Sequence, residues 1–230
     1  MPTAVITGAS RGLGHALARA LAARGWSLIL DARNGRALDR AVDRLGAVTD
    51  VTAIAGDVAD PAHRAAVAAA VPDRLELLVH NASALGPSPL PPLAMLDPAE
   101  FGSILRTNVV APLALTQELL PALRAAEGTV LAISSDAAVE PYPGWGGYGA
   151  SKAALDQLTA VLGAEHPELA VHAVDPGDMR TAMHQAAFPG EDISDRPEPA
   201  SVVPALLHLI DERPPSGRYR ASDLLVVGAM

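Results

Sequence analysis

Short apolar segments alternate with longer amphipathic segments from one end of the chain to the other. Runs of four to six apolar residues are typical of strands that are buried on both faces, and the segments between them have helical spacing. Helix starts are also indicated at Asp60-Pro61 and Asp97-Pro98, where an acidic cap precedes proline. Strands are predicted over 3–7, 26–30, 51–56, 75–80, 129–134, 169–174 and 224–227, and helices over 12–24, 36–45, 147–164 and 200–212.

This alternation predicts an α/β fold, a doubly wound parallel sheet of about seven strands with helices on both faces. No repeat and no linker divides the 230 residues, so a single domain over 1–230 is expected. Aromatic residues make up only 3% of the chain, so the core must be built from Ala, Leu and Val. Ligands of such sheets bind where the strands end, and the loops after the strands are therefore the places to look for chemistry.

Composition excludes several classes of function. A formal charge of −9 argues against a nucleic-acid partner, and the lack of cysteine excludes disulfides and thiol catalysis. The seven histidines show no metal-ligand spacing, so no metal is expected. The uncharged stretch 77–96 contains four prolines and is not a membrane helix, and the first residues do not resemble a signal peptide. A soluble, cytoplasmic protein without a membrane partner is expected.

The loop after the first strand, TGASRGLG at 7–14, is rich in glycine and leads into a helix. Glycine lets the backbone approach a ligand closely, and the N–H groups of a helix N-terminus can bind phosphate. Its three glycines, Gly8, Gly12 and Gly14, have GxxxGxG spacing. Tight turns also need glycine, but the position after the first strand favours a dinucleotide site.

A second motif contains the only lysine of the chain. Tyr148 and Lys152 are four residues apart in a predicted helix and share one face. An ammonium group near a phenol lowers its pKa from about 10, which would suit Tyr148 as a general acid or base. Taken alone, a tyrosine and a lysine at this spacing more often lie on a solvated helix face. Three further features favour catalysis. A serine ends the fifth predicted strand, Ser135 with Ser134 as the alternative, and Asn108 stands four residues before Pro112 in a predicted helix. The third feature is the motif DPGDMRT at 175–181, which follows the sixth predicted strand.

Together these motifs resemble the short-chain dehydrogenase/reductase family, in its TGxxxGxG and YxxxK branch, over nearly the whole chain. The resemblance implies a Rossmann-like fold and a nicotinamide cofactor. It implies catalytic roles for Asn108, Ser135, Tyr148 and Lys152. It implies cofactor contacts at Gly8, Ser10, Arg11, Gly12, Leu13, Gly14, Arg33, Asp57, Val58, Asn81, Ala82, Tyr148, Lys152, Pro176, Gly177 and Thr181.

The end of the second strand bears on the choice of cofactor. The family's NAD-selecting aspartate usually stands where this chain has Ala32, and Arg33 matches the basic residue of NADP-preferring members. Arg11 supports the same interpretation because a 2′-phosphate needs arginine nearby. Asp31 is the contrary feature. NADP(H) is therefore favoured, and NAD(H) stays possible.

One motif departs from the family pattern. The sequence HNAS at 80–83 replaces the usual NNAG, which retains Asn81 and Ala82 but introduces His80 and Ser83. A serine in place of glycine adds a side chain close to the expected cofactor.

The expected function is that of an NADP(H)-dependent oxidoreductase that interconverts a carbonyl compound and its alcohol. The alternatives are an NAD-linked alcohol dehydrogenase and a cofactor-binding sensor without turnover. We expect a lipophilic or aromatic substrate. We also expect a homodimer built on the helices near 98–125 and 147–164, with a tetramer as the alternative. Segment 178–199 is predicted to form a substrate lid, and the substrate-lining candidates are Leu85, Tyr142, Trp145, Met179, Met183 and Phe188.

Overall fold

The computed structural model describes residues 1–227 as one parallel sheet with helices on both faces. Its strands are β1 (Thr3–Ile6), β2 (Ser27–Ala32), β3 (Val51–Ala55), β4 (Leu77–His80), β5 (Thr129–Ile133), β6 (Ala170–Asp175) and β7 (Gly217–Arg220). Its helices are α1 (Gly12–Ala23), α2 (Gly35–Val42), α3 (Pro61–Ala69), α4 (Pro98–Leu105), α5 (Ala111–Ala126), α6 (Gly146–Glu165), α7 (Ala182–Ala187), α8 (Val203–Glu212) and α9 (Ala221–Val227).

The strands lie in the order β3-β2-β1-β4-β5-β6-β7, and every neighbouring pair is parallel. The predicted doubly wound sheet of seven strands is confirmed. The chain proceeds outward from β1 in one direction as far as β3 and then returns to place β4 on the other side of β1. A crevice therefore opens at the carboxyl ends of β1 and β4, where the loops diverge to opposite faces.

Each strand of the sheet centre contributes to two cores. In β1, Ile6 packs in the cluster that includes Leu17 of α1 and Leu206 of α8, whereas Val5 packs in the cluster on the other face with Leu115 of α5. Successive side chains of a strand point to opposite faces, so burial of both faces requires consecutive apolar residues. The uninterrupted apolar runs in the sequence have this origin.

The predicted position of the seventh strand was wrong. The apolar run 224–227 lies in α9, and the strand at the sheet edge is β7, whose residues are only partly buried or exposed. An edge strand is paired on one side only and does not need an apolar run. In α9, Ala221 is buried and Leu224 packs against the core, so these two residues belong to a helix face and not to a strand.

The helix α6 lies directly against the turn that follows β5. At Gly149 an added Cβ would lie 2.4 Å from the backbone carbonyl oxygen of Ala137. No side chain fits between these two backbone segments. The absence of a side chain at Gly149 thus sets the distance between α6, which carries Tyr148 and Lys152, and the end of β5.

We expect Gly149→Ala to destabilise the protein by about 1–3 kcal/mol, because α6 must move away from residues 136–138. Gly102→Ala in α4 is the matched control, since its nearest atom would be a side-chain nitrogen of Arg106 at 3.5 Å. That control should gain about 0.5–1 kcal/mol from reduced backbone freedom. Urea unfolding measures both variants, and equal stability of the two would contradict the close approach at Gly149.

Candidate active site

A cleft of about 1560 Å³ opens at the carboxyl ends of the strands and collects nearly all the predicted site residues. The exceptions are Gly14 and Asn108. An added Cβ at Gly14 would lie 2.5 Å from Nδ2 of Asn81, so this glycine packs behind the cleft wall instead of lining it. Lining residues from the predicted set are Gly8, Ser10, Arg11, Gly12, Leu13, Arg33, Asp57, Val58, Asn81, Ala82, Ser135, Tyr148, Lys152, Pro176, Gly177 and Thr181.

The glycine loop leads into the N-terminus of α1, which faces the cleft. Arg11 is the N-cap of α1, and its side chain makes no capping hydrogen bond. The first turn of α1 is therefore available to an anion. Gly8 has φ +66°, and an added Cβ there would lie 2.9 Å from Cα of Ala82, so only glycine lets the loop lie this close to the segment after β4.

Asp31, the contrary feature of the sequence, is buried at the end of β2. Its Oδ1 accepts a 2.8 Å hydrogen bond from the N–H of Gly8, and its Oδ2 lies 3.2 Å from Nε2 of His63. Both carboxylate oxygens are thus engaged within the protein. Asp31 stabilises the glycine loop, a role that the sequence did not reveal because it depends on His63, which lies 32 residues further along.

Four arginines line the same end of the cleft. Arg33 lies in the turn between β2 and α2, Arg36 in the first turn of α2, Arg11 in the glycine loop and Arg19 in α1. Among the residues that the structure describes, Arg33 and Arg36 have no carboxylate within 4.0 Å, so both guanidinium groups are available to an anionic ligand. Sequence reasoning missed Arg19 and Arg36. Arg36 follows Arg33 by three residues, and this spacing was the available signal.

Lys152 is buried beneath Tyr148. Its Nζ donates a 2.6 Å hydrogen bond to the carbonyl oxygen of Ile133 and lies 5.5 Å from the centroid of the Tyr148 ring. Loss of hydration lowers the pKa of Lys152 from 10.5 to about 8, with Asp156 acting in the opposite direction. At neutral pH the side chain still carries its proton, so a cation faces the phenol from inside the protein.

The pKa of Tyr148 moves in the direction opposite to the expected one. Burial raises it from 10.0 to about 12, Asp136 and Asp175 add to this effect, and a hydrogen bond with Ser83 lowers it. Desolvation of the phenolate is the largest cause of this shift. Tyr148 is therefore a protonated phenol at neutral pH, the form that a general acid needs.

The two candidate serines at the end of β5 differ in their hydrogen bonds. The hydroxyl of Ser135 donates to Oδ1 of Asp136 at 2.9 Å and accepts from the N–H of Ala137 at 3.2 Å. The hydroxyl of Ser134 is buried and has no hydrogen-bond partner among the described residues. Both line the cleft. The carbonyl oxygen of Ser135 accepts from Nη2 of Arg218 at 2.9 Å, which fixes the turn on β7.

Asn108 lies behind the cleft wall in a π-helical turn, 106–110, that joins α4 to α5. The N–H of Ala111 bonds to the carbonyl of Arg106 there, and Pro112 offers no N–H to the carbonyl of Asn108. The side chain donates to the carbonyl of Ala84 and to Oγ of Ser151, both at 2.9 Å. Asn108 thus connects the loop after β4 to α6.

The other end of the cleft is apolar and aromatic. Leu85 and Tyr148 form a buried cluster with Trp145 and Met183 packed against it, and Trp145 meets the Tyr148 ring edge-on at 5.8 Å between centroids. Met179 also lines the cleft. Two expectations were wrong in detail. Tyr142 is exposed outside the cleft and donates to Asp136, and Phe188 packs behind the lining on Trp145 and His184.

Comparison with known proteins agrees with this geometry. The family model described as short chain dehydrogenase matches residues 2–192. The chain belongs to the short chain dehydrogenase family. The predicted family, the oxidoreductase class and the Rossmann-like fold are thereby confirmed. Over residues 1–227 no helix is long and apolar enough to cross a membrane, and no group of three or more ligating side chains is placed to hold a metal ion.

Several relatives of this dehydrogenase chain are enzymes. Sepiapterin reductase of Meriones unguiculatus is 40% identical over 199 residues, covering 80% of this chain and 76% of its own. Serine 3-dehydrogenase of Agrobacterium fabrum is 35% identical over 185 residues, covering 78% and 72%. A solved short chain dehydrogenase of Shigella flexneri, complexed with NADP, has a TM-score of 0.88 at 30% identity and covers 96% of this chain and 97% of its own.

Burial of the Lys152 charge should cost this dehydrogenase stability at neutral pH. The shift of the Lys152 pKa from 10.5 to about 8 corresponds to a loss of roughly 3 kcal/mol in the free energy of unfolding. Substitution removes this cost but also removes the hydrogen bond to Ile133, which contributes about 1 kcal/mol. We expect Lys152→Met to raise the melting temperature at pH 7 by roughly 4–8 °C.

The sign of the pH dependence provides the control. Between pH 8 and 10.5 the unfolded chain keeps the Lys152 proton that the folded protein has released, so the stability of the wild type rises with pH. Melting curves from pH 7 to 10 should therefore show the two proteins converging. A gap that stays constant with pH would indicate that the substitution acts through packing and not through the buried charge.

Proposed function

We propose that this chain is an NADP(H)-dependent carbonyl reductase, which also runs in reverse as an alcohol dehydrogenase. One observation carries the proposal: at one end of a single cleft, arginines without a carboxylate partner among residues 1–227 lie beside an open helix N-terminus, and the Tyr148–Lys152 pair lies at the other end. The NADP reported for the Shigella flexneri structure supports the same cofactor.

The residues at the arginine end suit a 2′-phosphorylated dinucleotide. Arg33 and Arg36 would bind the 2′-phosphate, and the first turn of α1 would bind the pyrophosphate. Each carboxylate oxygen of Asp31 already has a partner within the protein, Gly8 for one and His63 for the other, so Asp31 is less available to a free ribose hydroxyl than an unbonded carboxylate would be. This engagement argues against the NAD-linked alternative.

At the other end the residues are suited to protonating a carbonyl oxygen. The bound cofactor supplies the hydride. Tyr148, kept protonated by burial, donates its phenolic proton to the substrate oxygen. The ammonium of Lys152 then stabilises the phenolate, and a hydroxyl of Ser135 that turns from Asp136 polarises the carbonyl. Asp136 keeps its bond from the N–H of Ala137 when that happens.

The substrate end of the cleft favours a lipophilic or aromatic carbonyl compound. Trp145, Leu85 and Met183 provide apolar contact beside the phenol of Tyr148. We infer that segment 178–199, which includes α7, closes over this compound as a lid. It is held at its base, where the N–H of Arg180 bonds to the carbonyl of Pro197 at 2.8 Å, and it meets the loop after β4 through a 2.7 Å bond from Ser88 to Ala186.

A homodimer is the assembly that we propose. Val110 and Leu113 near the start of α5 and Val161 on α6 expose large apolar side chains to solvent. These are the two helices on which the sequence placed the dimer contact. Pairing of this face with a second copy would remove the apolar surface from water.

Turnover measurements with NADPH and NADH over a panel of ketones and aldehydes test the reaction. We expect NADPH oxidation with apolar and aromatic carbonyl compounds, and a loss of about 10²–10⁴-fold in Tyr148→Phe because no group replaces the proton donor. Lys152→Arg should also lose most of the activity, since a guanidinium differs from an ammonium in size and donor geometry. Tight NADPH binding without turnover would instead support a sensor, and full activity of Tyr148→Phe would refute the mechanism.

Arg33 should determine the preference between the two cofactors. Removal of a charge-assisted contact to phosphate is expected to weaken NADPH binding by about 10- to 100-fold in Arg33→Ala, with little change for NADH. Arg40→Ala is the matched control, because Arg40 is an exposed arginine on α2, the helix that follows Arg33, but lies outside the cleft. Fluorescence titration measures both affinities. Equal weakening by the two variants would mean that only net charge matters.

A further inference from the structure

Arg218, on the edge strand β7, joins three segments of the candidate active site. Its Nη2 donates a 2.9 Å hydrogen bond to the carbonyl oxygen of Ser135, and its Nε donates to Oδ2 of Asp156 at 2.9 Å. The same Nη2 lies 3.5 Å from Oδ2 of Asp175. A planar guanidinium presents its donors in a fixed fork, so contacts with three partners fix these partners relative to one another.

The two carboxylates of this group each stand next to a predicted site residue. Asp156 lies one helical turn after Lys152 on α6. Oδ1 of Asp175 accepts the N–H of Gly177 at 3.0 Å. The guanidinium on β7 therefore connects α6 and the loop after β6 to the end of β5, although its own residue does not line the cleft.

The backbone at the end of β5 is held at three consecutive residues. The carbonyl oxygen of Ile133 accepts from Nζ of Lys152 at 2.6 Å. The N–H of Ser134 donates to the carbonyl oxygen of Val174 at 2.7 Å, and the carbonyl oxygen of Ser135 accepts from the guanidinium on β7. The last of these bonds lies beyond Ile133, where the strand ends, so it acts on the turn that carries the hydroxyl of Ser135.

Arg218 also balances the charge of the two carboxylates. The side chains of Asp156 and Asp175 are only 14% and 7% exposed, so solvent screens their charges only in part. Asp156 raises the pKa of Lys152 against the larger effect of burial, and Asp175 adds to the effect of burial in raising the pKa of Tyr148. Loss of the guanidinium would leave both carboxylates without a cation at this position.

We propose that Arg218 is a positioning residue. It holds the turn of Ser135 against the helix that carries Tyr148, and so sets the distance between the two hydroxyls that act on the substrate oxygen. This inference rests on the proposed carbonyl reductase function. Arg218 contacts neither substrate nor cofactor in this role, and no bond of Arg218 is made or broken in the reaction. It acts through the backbone of Ser135 and through its ion pair with Asp156.

Methionine at position 218 keeps the unbranched stem and removes the guanidinium. We expect Arg218→Met to lower kcat for carbonyl reduction by about 10- to 100-fold, because the two hydroxyls lose their relative position. NADPH affinity should change little, since the arginine end of the cleft is untouched. Arg220→Met is the matched control, because Arg220 is an exposed arginine on the same strand, and it should keep kcat. A folded Arg218→Met with the kcat of the control would overturn the proposal.

Lys152 supplies a readout that does not require turnover. It is the only lysine of the chain, so lysine labelled with ¹³C at Cε gives one side-chain resonance. We expect Arg218→Met to raise the pKa of Lys152 from about 8 by about one pH unit, because Asp156 loses its cation. Asp156→Asn should lower this pKa, and the double variant should titrate near the wild type.

The opposite signs of these two changes exclude a merely structural effect. A fold that loosened around Lys152 would hydrate the ammonium and raise its pKa in all three variants. Between pH 6 and 10 His80 and Tyr148 stay neutral, with pKa values of about 3 and about 12, so neither adds a charge change to the titration. An unchanged titration of Lys152 in Arg218→Met would contradict the bridge to Asp156.

The double variant separates position from charge. It has neither the guanidinium nor the carboxylate, so the charge balance is kept while the bridge is lost, and kcat should stay low. Asp156→Asn breaks the same bridge from the other side and should lose kcat as well. Kinetics are measured well below the melting temperature of each variant. Recovery of kcat in the double variant would overturn the positioning role. The predicted titrations in a protein without turnover would retain the bridge and reject the proposed reaction.

Discussion

The hydrogen bonds between the ends of β1 and β4 determine where everything else in the site lies. Oγ of Thr7 accepts the N–H groups of Asn81 and Ala82, both at 3.0 Å, and Nδ2 of Asn81 donates to the carbonyls of Thr7 and Gly8 at 2.8 and 3.1 Å. Without these hydrogen bonds, nothing in the pairing of two parallel strands would fix the loops after β1 and β4 relative to each other. These bonds fix the glycine loop and the segment after β4 against each other, at the point where the strand order reverses.

From that junction the constraint extends to α6. The segment after β4 is held by Asn108, which also bonds to Ser151, and the hydroxyl of Ser151 donates to the carbonyl of Tyr148 at 2.6 Å. The phenol, the loop with Ser83 and the glycine loop therefore form one connected unit. Burial lowers the pKa of His80, which hydrogen-bonds to Thr116, to about 3. This histidine is therefore neutral and adds no charge to the site.

Much of this arrangement was predictable from sequence because it depends on local patterns. Apolar runs identify strands, GxxxGxG follows β1, and Tyr148 and Lys152 have helical spacing. What sequence did not predict depends on contacts between distant residues. The engagement of Asp31 requires His63, and the high pKa of Tyr148 follows from burial, which spacing does not describe. The error at 224–227 has another cause, since an apolar run looks alike in a helix packed on a core and in a strand.

The acidic residue at the end of β2 shows why position along the chain is a weak guide to cofactor choice. A carboxylate selects a ribose hydroxyl only if an oxygen is free to accept from it. In Asp31 one oxygen holds the N–H of Gly8 and the other faces His63, so the negative charge fixes the loop, whereas Arg33 lines the same cleft with no carboxylate partner in the described part of the chain. Replacing Asp31 would therefore remove a hydrogen bond that holds the glycine loop. Cofactor specificity at such a site depends on which polar atoms the fold leaves without a hydrogen-bond partner.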